Sequence, residues 1–167
     1  MLKMKSNKVF EALGMKCSVL EKVEAGYLCI ADSIGDRKFG SNNDWRESNI
    51  RKEMQELAEK IEKELGIELP EFERNLLSLD GEDEYGTCMD KVSIISFDEY
   101  RKYKKKIPNI HKWCWTLTPD STPEGAGDSF VTVVAPSGSV YYYNYFDYYG
   151  VRPFCIFPSS IFESEEE

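Results

Sequence analysis

The sequence predicts an α+β fold: an N-terminal hairpin, two helices and a C-terminal antiparallel sheet. Three observations carry this. Two short apolar runs at 15–21 and 27–33 flank the Gly-containing loop Glu24-Ala25-Gly26, the pattern of a hairpin. Ile50, Met54, Leu57, Ala58, Ile61 and Leu65 then recur at helical spacing between Ser48 and Gly66. Beyond His111 the chain becomes a series of short β-prone runs separated by Pro- and Gly-bearing turns.

Between the helices the pattern is less regular. Leu69-Pro70 breaks it, 74–79 reads as a short strand, and LDGEDEYG follows as an acidic, solvated loop. Lys91–Ser96 (KVSIIS) reads as a buried strand. Ser96 and Glu99 have the spacing of a capping box, which starts a second helix running to about Lys105 and stopped by Pro108. The later strands are expected at Trp113–Leu117, Phe130–Ala135, Ser139–Tyr145 and Val151–Phe157. Trp113, Trp115, Phe154 and Ile156 are the expected core, with Arg152 tying loops together through its five donors.

Length and composition set limits on function. The chain has 167 residues, 41% of them hydrophobic and 13% aromatic, enough for one domain with its own core, placed at 1–162, with an acidic disordered tail at 163–167. A mean hydropathy of -0.49 and the lack of any long apolar stretch argue against a membrane partner. The start, MLKMKSNKVFEALGMKC, is not expected to be a signal peptide. Five scattered cysteines (Cys17, Cys29, Cys88, Cys114, Cys155) without a C-x-x-C pair point to reduced thiols and away from zinc. A net charge of -9 argues against direct nucleic-acid binding. The basic run Arg101–Lys106 suits the last turns of a helix.

Catalytic patterns are missing. His111, the one histidine, has no carboxylate or nucleophile at a recognisable catalytic spacing. Asp80, Glu82, Asp83 and Glu84 miss the calcium-loop pattern. Cys114 and Cys155 are expected on neighbouring strands, as small buried residues or a redox pair. The reading is a non-enzymatic protein with no cofactor and no metal.

One segment stands apart. Six of the ten tyrosines lie between Tyr141 and Tyr149, within SVYYYNYFDYYG. In a strand, Tyr141, Tyr143 and Tyr145 take one face and Tyr142, Asn144 and Phe146 the other, and burying both faces would require a partner for every hydroxyl. From Thr116 to Pro158 only five of 43 residues are charged. Low charge with abundant Tyr, Ser, Gly and Asn is the composition of a recognition face, with an aromatic core strand or a dimer seam as the bland reading. The expected ligand-binding residues are Asp120, Ser121, Ser139, Tyr141, Tyr143, Asn144, Tyr145, Asp147, Tyr148 and Tyr149.

Several segments together resemble a large family of uncharacterised bacterial and phage proteins. They are Trp45-Arg-Glu-Ser48-Asn-Ile50-Arg51, Tyr85–Tyr103 (YGTCMDKVSIISFDEYRKY), His111–Pro123 (HKWCWTLTPDSTP) and Gly150–Phe162 (GVRPFCIFPSSIF). The family often continues W-L-N after the helix arginine, where this chain has Lys52-Glu53-Met54. The resemblance implies a C-type-lectin-like fold, the architecture shared with formylglycine-generating enzymes and with the variable proteins of diversity-generating retroelements. In those proteins, adenine-directed mutagenesis rewrites codons near the C-terminus, and the resemblance implies such positions at Ser139, Tyr141, Tyr143, Asn144, Tyr145, Asp147, Tyr148 and Tyr149, all drawn from the residues it produces. The lectin motifs E-P-N and Q-P-D are absent, as is a close cysteine pair.

The first functional expectation is therefore a binding module presenting a Tyr-rich surface to an unidentified protein or surface ligand, with self-association allowed for. It would act in a bacterial cytoplasm or on a phage particle. The alternative is an acidic phage-encoded inhibitor that uses segment 47–84 to occupy a host nucleic-acid-binding defence protein. A formylglycine-type enzyme, the third reading, would need Cys155 or Cys114 and a bound metal.

Overall fold

The computed structural model describes residues 1–163, and it is built from two five-stranded sheets, a two-stranded ribbon and two helices. The acidic tail expected at 163–167 lies, from Ser164 onward, outside the described residues.

Strands β1 (Val9–Ala12), β2 (Met15–Val23) and β3 (Gly26–Ala31) form an antiparallel meander. The expected hairpin is its second half, with Val23 opposite Gly26. Gly26 has φ 144, and a Cβ there would sit 2.1 Å from the Phe157 carbonyl oxygen, so only glycine lets the terminal segment pack this closely. A short strand, β4 (Asp36–Lys38), and a turn of 3-10 helix at Trp45–Glu47 lead into α1 (Asn49–Leu65). The Ser48 hydroxyl accepts from the Arg51 amide at 3.0 Å to start α1. Gly66, left-handed at φ 63, ends it, and Ile50, Met54, Ala58 and Ile61 form its buried stripe.

The middle of the chain departs from expectation. β5 (Phe72–Asn75) pairs with β6 (Thr87–Asp90) as a ribbon, and the expected KVSIIS strand is only β7 (Val92–Ser93). Ser96 and Glu99 do form a reciprocal capping box, opening α2 (Phe97–Tyr103). This helix ends short of Lys105. Then follow β8 (Cys114–Pro119), β9 (Phe130–Val134), β10 (Val140–Asn144), β11 (Tyr148–Gly150) and β12 (Phe154–Phe157).

The C-terminal half does not make one antiparallel sheet. Of the strand expected at Val151–Phe157 only Phe154–Phe157 forms, as β12, and the strand just before it, β11, belongs to the other sheet. β11 lies in the second sheet, ordered β10-β9-β8-β11-β4, where it meets β8 in parallel at Gly150 and Cys114. β12 crosses to the first sheet, ordered β1-β2-β3-β12-β7, and pairs with β3. Arg152 secures the crossing, donating from Nε to the Ala31 carbonyl and from Nη1 to the Pro108 carbonyl, both at 2.9 Å. Pro153 lacks an amide for a ladder, yet its carbonyl accepts from the Ala31 amide at 2.8 Å.

Alternation along β3 and β12 explains why both are apolar throughout. Leu28, Ile30, Phe154 and Ile156 face α2, where they pack with Leu20, Tyr100 and Tyr103. Cys29, Ala31, Cys155 and Phe157 face the larger core, which also holds Met54 of α1 and Trp115 and Val133 of the second sheet. The first sheet is thus covered on both faces. Trp115, Phe154 and Ile156 are buried as expected, but Trp113 is only half-buried. Cys114 and Cys155 are not neighbours either, because Cys155 stands opposite Cys29 in the other sheet. All five cysteines are free thiols, and burial pushes Cys17 up to about 12, which leaves it unreactive at neutral pH.

Candidate functional site

The tyrosine segment runs along an edge. β10 is the outermost strand of the second sheet, paired on one side only, with β9. The turn at Pro136–Ser139, with Gly138 at φ 85, makes the β9–β10 hairpin. At the other end the Asp147 amide donates to the Asn144 carbonyl at 3.0 Å, and the Asn144 side-chain oxygen accepts from the Phe146 amide at 3.2 Å. This second turn is held on both flanks: the Tyr145 amide donates to Ser129 and the Phe39 amide to Tyr145, each at 3.0 Å. The chain then re-enters the sheet as β11, with Tyr148 opposite Lys38.

An edge strand presents both faces, and here both carry rings. Tyr141 and Tyr143 lie against Trp113, with centroids 5.3 and 5.7 Å away. Tyr149 completes this group, 5.0 Å from Trp115 and 5.3 Å from Tyr143. Tyr142, on the opposite face, meets Phe130 edge-on at 5.4 Å. Phe146 and Tyr145 meet in the turn at 5.6 Å. Such tilted and edge-on pairs hold rings without burying them. Tyr141, Tyr142, Phe146 and Tyr148 remain 47%, 55%, 54% and 66% exposed.

The expected site residues divide into groups. Tyr141 and Tyr148 are exposed, whereas Tyr143, Asn144, Tyr145, Asp147 and Tyr149 are half-buried. Tyr149 forms the floor, and burial, then Asp147 and Tyr143, raise its hydroxyl above the usual range. Ser139 is exposed at the far end of β10. Asp120 is half-buried beside β9, its amide donating to the Phe130 carbonyl at 3.0 Å. Ser121 is a buried strut: its hydroxyl donates to Asp80 at 2.6 Å and accepts from the Ala126 amide at 2.7 Å. These bonds tether the acidic loop, and the Ser121 bond first of all holds Asp80 below the usual carboxylate range.

Sequence reading left Tyr142, Phe146 and Phe130 out of the set, although all three are exposed. The signal was present in the face alternation of 141–146. It becomes decisive only once β10 is known to be an edge.

Among the described residues, no three His, Cys, Asp or Glu side chains converge as a metal donor set. None of their helices is long and apolar enough to cross a membrane. His111 is exposed, with φ 58, its amide donating to the Asn109 side chain at 2.8 Å. Comparison with protein families, curated proteins and solved structures finds no match to this chain.

Segments Trp45–Arg51, Tyr85–Tyr103, His111–Pro123 and Gly150–Phe162 meet inside the molecule. Trp45 Nε1 and Arg51 Nε both donate to Asp90, each at 2.8 Å. Ser48 caps α1, Trp115 Nε1 donates to the Arg37 carbonyl at 2.8 Å, and Arg152 anchors the crossing between sheets. These side chains are framework for the aromatic edge.

Proposed function

We propose that this protein is a non-enzymatic binding module which contacts a folded protein partner through the aromatic edge formed by β10 and the turn after it. The scaffold proposed for it is C-type-lectin-like, on the strength of the motif resemblance together with the observed order of hairpin, two helices and strand-rich C-terminal half. The observation that carries the functional reading is the exposure of Tyr141 and Tyr142 on the unpaired edge strand β10 and of Phe146 in the turn after it, with Phe130 on β9 and Tyr148 on β11 exposed in the same sheet. Rigid rings with polar tips give large contact area at small entropic cost, and hot spots at protein interfaces are enriched in Tyr and Trp. Few charges lie nearby, so the contact is expected to be apolar and hydroxyl-mediated.

Photo-crosslinking tests this in extract of the source cell. A benzophenone amino acid placed at Tyr142 or Tyr148 should give one discrete protein adduct. The adduct should persist at about 0.5 M salt, where screening is nearly complete beyond a few ångströms, and disappear on Tyr141→Ala. An equal adduct from the same probe at Glu59 on the outer face of α1, or one that salt abolishes, would overturn the reading in favour of an acidic contact.

A further inference from the structure

A cavity of about 210 Å3 lies between α2, the first sheet and the β9–β10 turn, well apart in character from the aromatic edge. Its walls are mostly apolar, with Ile30, Ile95, Ile107 and Val134 prominent. It is preformed: the Tyr100 hydroxyl donates to the Gly138 carbonyl and the Asn109 side chain to the Pro136 carbonyl, each at 2.9 Å. Those bonds fix the turn that forms one wall.

Its charge runs against the rest of the molecule. The chain carries a net charge of -9, yet the ionic residues lining this cavity are Lys104, Lys112 and Arg152, with no carboxylate among them. Lys104 and Lys112 are exposed, while Arg152 is 8% exposed. Two of the Arg152 nitrogens serve backbone carbonyls. The third, Nη2, is closed off from solvent without a hydrogen-bond partner, and the Asp32 carboxylate stands 3.9 Å away, outside hydrogen-bond reach. Arg152 thus brings a buried positive charge to the cavity wall that Asp32 only partly offsets, beside two lysines with no carboxylate among the lining.

We infer that this cavity binds a small amphiphilic carboxylate, its apolar body against Ile30, Ile95, Ile107 and Val134 and its anionic head towards Arg152 and the two lysines. Its modest size and mostly apolar walls suit the body of a short-chain aliphatic or a benzoate-sized acid. Burial works to lower the guanidinium pKa without discharging it, so the cation is present at neutral pH.

The probes are hexanoate and benzoate, with hexanamide and benzamide as neutral isosteres, read by ligand-observed NMR on the whole chain. At least one acid should bind about tenfold more tightly than its amide. Val134→Phe, which fills the space and keeps every charge, should abolish binding, while Lys104→Met with Lys112→Met should weaken it several-fold. Either acid serves the inference, and their order identifies an aliphatic or an aromatic ligand. Equal binding of acid and amide would overturn it, as would failure of both acids to bind the folded protein. Should Val134→Phe fail to fold by its thermal melt, the double lysine variant decides, and unchanged affinity there sinks the proposal. Tyr141→Ala should leave acid binding unchanged, which separates this site from the aromatic edge.

Discussion

Arg74 and Glu99 form a two-point ion pair that ties the β5–β6 ribbon to the start of α2, with Nη1–Oε2 at 2.8 Å and Nη2–Oε1 at 2.5 Å. The arginine is buried, and its Nε and Nη2 also donate to the Ser93 hydroxyl and the Ile94 carbonyl. Glu99 also accepts from the Ser96 amide at 2.9 Å, so one carboxylate closes the capping box and neutralises a buried guanidinium. Burial acts to raise its pKa, but the Arg74 hydrogen bonds and charge, with Ser96, outweigh this and hold it below the usual carboxylate range.

That depressed value makes stability depend on pH in a defined direction. The Glu99 contribution is complete above the unfolded carboxyl value of about 4.3 and is lost as pH falls through the lower folded value. Glu99→Gln should therefore lower the urea midpoint at pH 7, and the gap from wild type should narrow progressively below about pH 4. A gap that stays constant down to pH 2 would show that the pair contributes no proton linkage.

Asp90 should be the most sensitive acid in the framework. Its carboxylate is buried and receives both the Trp45 indole and the Arg51 guanidinium. Asp90→Ala leaves both donors unmatched and is expected to cost about 3–5 kcal/mol, near 10 °C in melting temperature at about 2–4 °C per kcal/mol for a chain of this size. Asp90→Asn, which retains one acceptor, should cost less. Calorimetry on the two variants gives the order.

The aromatic edge should separate rim from floor. Tyr142→Ala and Tyr148→Ala are expected to change stability by less than about 0.5 kcal/mol, since both rings are mostly in water. Tyr149→Ala should cost about 2 kcal/mol or more, because its ring packs on both Trp113 and Trp115. Chemical melts of the three variants check this. Large losses at Tyr142 and Tyr148 would make the cluster core, and the recognition proposal would fall.

Self-association offers a separate measurement. An unpaired aromatic edge is a template for strand addition, so sedimentation at rising concentration should show any dimer weakened by Tyr142→Lys, which puts a charge on the edge. A dimer indifferent to that change would be using another surface.

Local signals along the chain decided the local structure. Ser48 and Gly66 bracket α1, Ser96 and Glu99 open α2, and Glu24-Ala25-Gly26 closes the β2–β3 hairpin, because caps and tight turns are satisfied by residues within a few positions. The aromatic segment, too, was marked by composition alone, since six tyrosines cannot all find buried partners. Pairing between distant segments was another matter. Val151–Phe157 reads as one strand, but only Phe154–Phe157 is one: Val151, Arg152 and Pro153 carry the chain from β11 in one sheet to β12 in the other, and nothing local says that β12 will meet β3. The roles of Tyr142, Phe146 and Ser121 followed from that placement: the first two emerge because β10 has no outer neighbour, and Ser121 is buried because the acidic loop folds over it. The Arg152 cavity has no sequence pattern at all. Its lysines, isoleucines and turn come from separate elements, and only long-range packing, whose energy is non-local, brings three cations together in an acidic protein.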